Sequence, residues 1–110
     1  MDIVIDRRSV HAGDDTMSHS VDMVVADNAT LGDFLAGFDF PGYLPHIMGR
    51  GCGTWDLCSA QGGSWRAGAH VVARVDATNT DDVRVKYVTA PETPLANLAA
   101  EGGKPYLLFR

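Results

Sequence analysis

The run GYLPHIMGRGCGTW, Gly42 to Trp55, sets His46, Arg50 and Cys52 among Gly49, Gly51 and Gly53. Those residue types carry three possible chemistries. A cysteine with a histidine base and a nearby cation makes a thiolate nucleophile, provided the base lies within hydrogen-bond reach. A glycine-rich loop cradles phosphate when it follows a strand and opens a helix, so that backbone N–H groups meet the anion. Cysteine and histidine bind zinc when they recur as Cys-x-x-Cys or as histidines at i and i+4.

Context removes each in turn. GRGCG follows a loop holding Pro41 and Pro45 and leads into a predicted strand, and no Gly-Lys-Ser/Thr is present. Cys52 and Cys58 with the scattered His11, His19, His46 and His70 form no short-spaced ligand pair. No family-type signature surrounds Cys52, and its approach to any histidine would depend on the fold. Both cysteines read as reduced, packed thiols, the small Cys52 lying beside glycines. No catalytic, cofactor-binding or metal-ligating residue is expected.

The remaining candidates are contact residues. Asp14-Asp15 and Asp81-Asp82 fall in turn-like segments, where aspartate is favoured for backbone reasons. Paired-carboxylate acid–base chemistry stays open for them, as does mimicry of phosphate toward an Arg/Lys-rich surface. Tyr43, Ile47, Met48 and Trp65 are large groups in or beside loops, which need either a core or a partner. The partner-binding set is therefore Asp14, Asp15, Asp39, Tyr43, His46, Arg50, Trp65, Asp81 and Asp82.

Bulk properties narrow the partner. A chain of 110 residues with net charge −5 is repelled by nucleic-acid phosphates, and no basic cluster exceeds Arg7-Arg8. No apolar run approaches the ~20 residues that span a bilayer, and MDIVIDRR lacks the pattern of a signal peptide. A single cytoplasmic domain over residues 1–110 is expected, built around one core. Its acidic surface suits a basic protein partner.

The elements that position these residues follow from periodicity. DIVID, Asp2 to Asp6, is a short buried strand. RRSVHAGDDTMSH is a long connection, and SVDMVVAD alternates with Val21, Met23 and Val25 on one well-buried face. Thr30-Leu31-Gly32-Asp33 resembles a capping box. Leu31, Phe34, Leu35 and Phe38 then make one helical stripe that Pro41 and Gly42 stop. TWDLC alternates with Trp55 and Leu57 together, and Gly62-Gly63 marks a turn. Ala69, Val71, Ala73 and Val75 form one strand face, with His70 pointing outward. ATNTDD is a turn, and VRVKYV returns with Val83, Val85 and Tyr87 inward. Thr93-Pro94 starts a short helical turn with Leu95, Leu98 and Ala99 on its apolar face. Gly102-Gly103 closes that turn before PYLLF forms the last strand. One main helix across a β chain gives an α+β fold, the helix laid on one face of a mixed sheet.

VDMVVADNATLGDFLAGF resembles the second strand and helix start of the ubiquitin-like β-grasp fold, and TPLANLAAEGGKPYLLFR resembles its closing turn and terminal strand. The resemblance implies a β-grasp-like sheet, here with an extra central hairpin over about Trp65 to Val88. It also implies a carrier or adaptor as one functional reading. Carriers use a flexible C-terminal Gly-Gly, whereas Gly102-Gly103 precedes a predicted strand, which counts against conjugation.

ATLGDF, GYLPHIMGRGCGTW and TPLANLA are similar to segments of small acidic immunity proteins of bacterial contact-dependent inhibition and polymorphic toxin systems. That likeness implies a non-enzymatic protein that neutralises a cognate toxin domain, often a basic nuclease, by stoichiometric occlusion. The expected partner is that toxin, with neither nucleic acid nor membrane. A cysteine-dependent enzyme is the third reading.

Overall fold

The alternating and apolar segments form strands in the computed structural model, which describes residues 1–7, 20–47, 49–59, 70–98 and 104–110. They are β1 (Asp2–Arg7), β2 (Val21–Val24), β3 (Thr54–Ser59), β4 (His70–Asp76), β5 (Arg84–Tyr87) and β6 (Tyr106–Phe109). All six join one sheet in the order β2-β1-β6-β3-β4-β5. β1 and β6 run parallel, and the other neighbours are antiparallel. Two short helices, α1 (Leu31–Ala36) and α2 (Phe40–Tyr43), and a 3-10 turn, Leu95–Leu98, complete an α+β arrangement dominated by the sheet.

The main core lies between one sheet face and the helical segments. Ile3, Ile5, Trp55, Leu57, Val75, Leu107 and Phe109 meet Leu31, Phe34, Leu35, Phe40, Leu44 and Leu95 there. Each such side chain contributes about 1.5–3 kcal/mol by leaving water. Cys58 and Leu108 are fully buried on the opposite face, with Val71 and Tyr106 packed against them.

The start of α1 leaves no amide idle. Thr30 Oγ1 accepts from the Asp33 amide at 3.1 Å, and the Asp33 carboxylate accepts from the Thr30 amide at 3.2 Å. The Leu31 and Gly32 amides donate to the carbonyls of Thr93 and Pro91 at 2.9 and 2.8 Å. With Asp33 bound by Thr30, the first turn is satisfied by a neighbouring segment and a cap. Gly32 permits the approach, since a Cβ there would stand 3.1 Å from Pro91.

Three expectations are corrected. The helical stripe does not run unbroken to Phe38: α1 ends at Ala36, and a second helix follows with Pro41 and Gly42 inside it. Proline needs no amide in a first turn, and the Asp39 carboxylate caps that turn, accepting from Gly42 at 3.2 Å. β2 is an edge strand without a well-buried face: Val21 is 44% and Val24 78% exposed, and only Met23 and Val25 touch the core. Where β3 pairs with β4 the register slips between Leu57 and Cys58 of β3, so that Leu57 faces Ala73 while Cys58 faces Val71. Val72 becomes the extra residue of a bulge and joins the main core, and Val71 turns to the other face. The alternation expected from Ala69 to Val75 therefore changes phase midway. The hairpin expected over Trp65 to Val88 is seen as β4–β5 at one side of the sheet, its first residues lying outside those described.

Candidate functional site

The glycine-rich loop is a double turn folded back on the end of β4. The Arg50 amide donates to the Ile47 carbonyl at 2.9 Å, the Ile47 amide to Gly51 at 2.7 Å, and the Gly53 amide to Arg50 at 2.8 Å. Such reversals need left-handed backbone, and Gly49, Gly51 and Gly53 have φ of 76°, 56° and 76°. Two further bonds, Cys52 amide to Ala77 carbonyl at 2.9 Å and Ala77 amide to Gly53 carbonyl at 2.8 Å, tie the loop to the β4–β5 turn. Gly51 lies so close to that turn that a Cβ would stand 2.4 Å from the Thr78 carbonyl oxygen.

This packing decides the chemistry of Cys52. The thiol is fully buried and its contact is the Leu44 carbonyl at 3.7 Å, while His46 and Arg50 are exposed. Burial pushes the thiol above its ordinary range. Burial also pushes the Cys58 thiol up, opposed by Arg110 and reinforced by Asp56. Neither is poised as a thiolate. The two cysteines are free and sit on opposite faces of the sheet.

The β4–β5 turn is organised by its own polar side chains. The Asp76 carboxylate accepts from the Thr78 hydroxyl at 2.6 Å and from its amide at 3.1 Å, which holds it below the usual carboxylate range. The Asn79 side chain accepts from the Asp81 amide at 3.0 Å. Asp82 takes two bonds from the Arg84 guanidinium, at 3.3 and 3.2 Å. Asp81 is left pointing its exposed carboxylate at solvent.

Of the expected contact residues, the structure brings Asp39, Arg50, Asp81 and Asp82 to one end of the sheet. Loop 44–53 packs on the turn after β4, and Asp39 borders a groove with Thr80 of that turn. His46 lies exposed on the same loop. Tyr43 is half-buried in an aromatic cluster, its ring 5.7 Å from Phe38 and 6.0 Å from Phe109. Burial and the Asp6 charge drive its phenol well above the ordinary range, with Arg7 opposing. Asp14, Asp15 and Trp65 lie outside the described residues.

Two features escaped sequence reasoning. On the sheet face away from the helices, Arg74, Arg84, Lys86 and Arg110 line a groove of about 450 Å³ together with Asp56 and Asp76. Pairing sets them there: Arg74 stands opposite both Asp56 and Lys86, and Arg84 opposite Asp76. Arg110 joins through reciprocal backbone bonds to Asp56 at 2.9 and 2.8 Å. On the helix side, β5 borders a second groove of about 440 Å³ with Leu35, Phe38, Pro41, Val83, Val85 and Tyr87. The alternation in VRVKYV was the available signal for opposite faces; the partners on each face were not.

Among the described residues, no His/Cys/Asp/Glu group is arranged to hold a metal, and no helix is long and apolar enough to cross a membrane. No family model, curated protein or solved structure matches the chain.

Proposed function

We propose that this protein is a non-enzymatic binding module, an immunity protein that occludes a cognate bacterial toxin domain by stoichiometric association. The observation that carries the reading is the convergence of Asp39, Arg50, Asp81 and Asp82 on one end of the sheet. Loops tied together by backbone bonds present charge in a fixed arrangement, which lowers the ordering cost of docking. The net charge of −5 suits a basic toxin and faster encounter with it. Burial of both thiols argues against the cysteine-enzyme reading.

The finer fold reading is β-grasp-like. A β1–β2 hairpin, the parallel β1–β6 pair and helices on one face support it, with β4–β5 extending the sheet. An adaptor would share that fold. Conjugation through Gly102-Gly103 is disfavoured because those residues precede β6, whose Leu107, Leu108 and Phe109 are fully buried.

Isothermal titration against the toxin domain encoded beside this gene tests the proposal. One-to-one binding that weakens about tenfold or more from low to physiological salt is expected. The double change Asp81→Lys with Asp39→Asn should weaken it further while the far-UV spectrum stays unchanged. Absence of binding at protein concentrations of tens of micromolar would sink this reading.

A further inference from the structure

β5 is an edge of the sheet, and no described strand pairs with its outer side. Its two faces border unlike grooves. Arg84 and Lys86 face the cationic groove, beside Arg74 and Arg110. Val85 and Tyr87 face the second groove, where Val83, Leu35, Phe38 and Pro41 lie around them together with Asp39 and Thr80. A strand added to this edge would continue the alternation, sending successive side chains into one groove and then the other.

The charges say what such a strand must carry. Lys86 stands directly opposite Arg74, a like-charge pair that weakens the sheet rather than supporting it. Arg74 has Asp56 on its far side at 3.5 Å, and Arg84 has Asp82 at 3.2 Å. Lys86 and Arg110 enter no ion pair among the described residues. The open side of Lys86 is the side on which a new strand would lie. A second copy of β5 would oppose cation to cation there, so self-pairing through this edge is disfavoured.

We propose that the β5 edge, Arg84 to Tyr87, is a docking site for an extended segment of another protein in which acidic residues alternate with apolar or aromatic ones. The added strand bonds to the β5 backbone, sets an acidic side chain beside Lys86, and lays apolar side chains over Val85 and Tyr87. This surface adjoins the charged loop end assigned to the toxin, since Asp39 and Thr80 border the same groove as Val85 and Tyr87. The inference rests on the β5 edge and Lys86 and holds whether or not that assignment does.

The probe is a fluorescent octapeptide of alternating glutamate and valine, titrated into the full chain by anisotropy. Its controls are a peptide of the same composition with glutamates and valines in separate blocks, and one with lysine for glutamate. Micromolar binding is expected for the alternating acidic peptide, and about tenfold weaker binding for both controls. N-methylation of alternate peptide amides, on the edge facing β5, should abolish binding. Lys86→Glu should lose the acidic peptide and gain the lysine peptide, with urea unfolding confirming that the variant folds.

Equal binding of the alternating and block peptides overturns the proposal, as does no binding at millimolar concentration. Self-association in sedimentation velocity that Lys86→Glu alters would assign the edge to a second copy instead, and overturn it too. Because the peptide titration reads the β5 edge through Lys86 and the toxin titration reads Asp39 and Asp81 with another partner, failure of one experiment leaves the other standing.

Discussion

Glycine is required in the 44–53 loop for two different reasons, and substitution separates them. Gly49 and Gly51 both have positive φ, but nothing lies within 4 Å of a Cβ at 49, whereas one at 51 meets the Thr78 carbonyl at 2.4 Å. Gly49→Ala should cost about 1 kcal/mol, the left-handed penalty alone. Gly51→Ala must also push the β4–β5 turn away, and should cost at least about 2 kcal/mol more than that. Urea denaturation of both variants checks the difference. Equal costs would mean that the loop and turn are less tightly tied than the Cys52–Ala77 bonds imply. The same contact positions the loop that carries His46 and Arg50. Under the proposed function, Gly51→Ala should also weaken association with the toxin domain while Gly49→Ala leaves it near the wild-type value.

Helix α1 is six residues long, too short to hold itself together, and depends on its first turn. Thr30→Ala removes one half of the reciprocal cap and should cost about 1 kcal/mol in urea denaturation. Thr30→Ser keeps the hydroxyl and should recover most of it. That cap was legible from Thr30 and Asp33 alone, since capping acts over three residues. The strand assignments were legible for a similar reason: alternation in VRVKYV or TWDLC is a local pattern. What was not legible depends on neighbours. The bulge at Val72 arises only where β4 meets β3, and the exposure of Val24 follows from its place at the edge, which no periodicity encodes. The break at Gly37 hid behind Phe38, whose ring stacks on Phe109 at 5.5 Å although its backbone has left the helix. For the candidate site, residue types pointed to Asp39, Arg50 and Asp81, but their convergence needs the Gly51 contact. The opposition of Arg74 and Lys86 needs a register set by a whole hairpin.

Across the whole molecule, the parallel β1–β6 pair joins residues 102 apart, and the Tyr106 hydroxyl donates to the Asp6 carboxylate at 2.5 Å. Burial raises the Tyr106 phenol to about 12, and the bond to Asp6 and its negative charge add to the effect. A phenol held above its ordinary value near 10 binds its proton more tightly in the folded chain than in the unfolded one. Its contribution is fully present below pH 10 and is lost as pH climbs from there through about 12. Thermal unfolding followed from pH 8 to 11.5 should show stability falling above pH 10, and Tyr106→Phe should flatten that fall. Tyr43 is shifted in the same direction, so a residual decline should persist in Tyr106→Phe and shrink again with Tyr43→Phe. An unchanged alkaline slope in both variants would show that the two phenols do not couple to folding.

β6 follows every other strand in the chain yet sits third in the sheet, between β1 and β3. Until it arrives, the β2–β1 hairpin and the β3–β4–β5 meander have no shared hydrogen bonds in the sheet. Without β6 the chain holds two partial sheets, each with an open edge, and pairing of β6 with β1 and β3 joins them into one. Loop-closure entropy places that step late and makes it slow relative to hairpin formation. Sheet and main core close together when β6, carrying Leu107 and Phe109, pairs with β1 and β3.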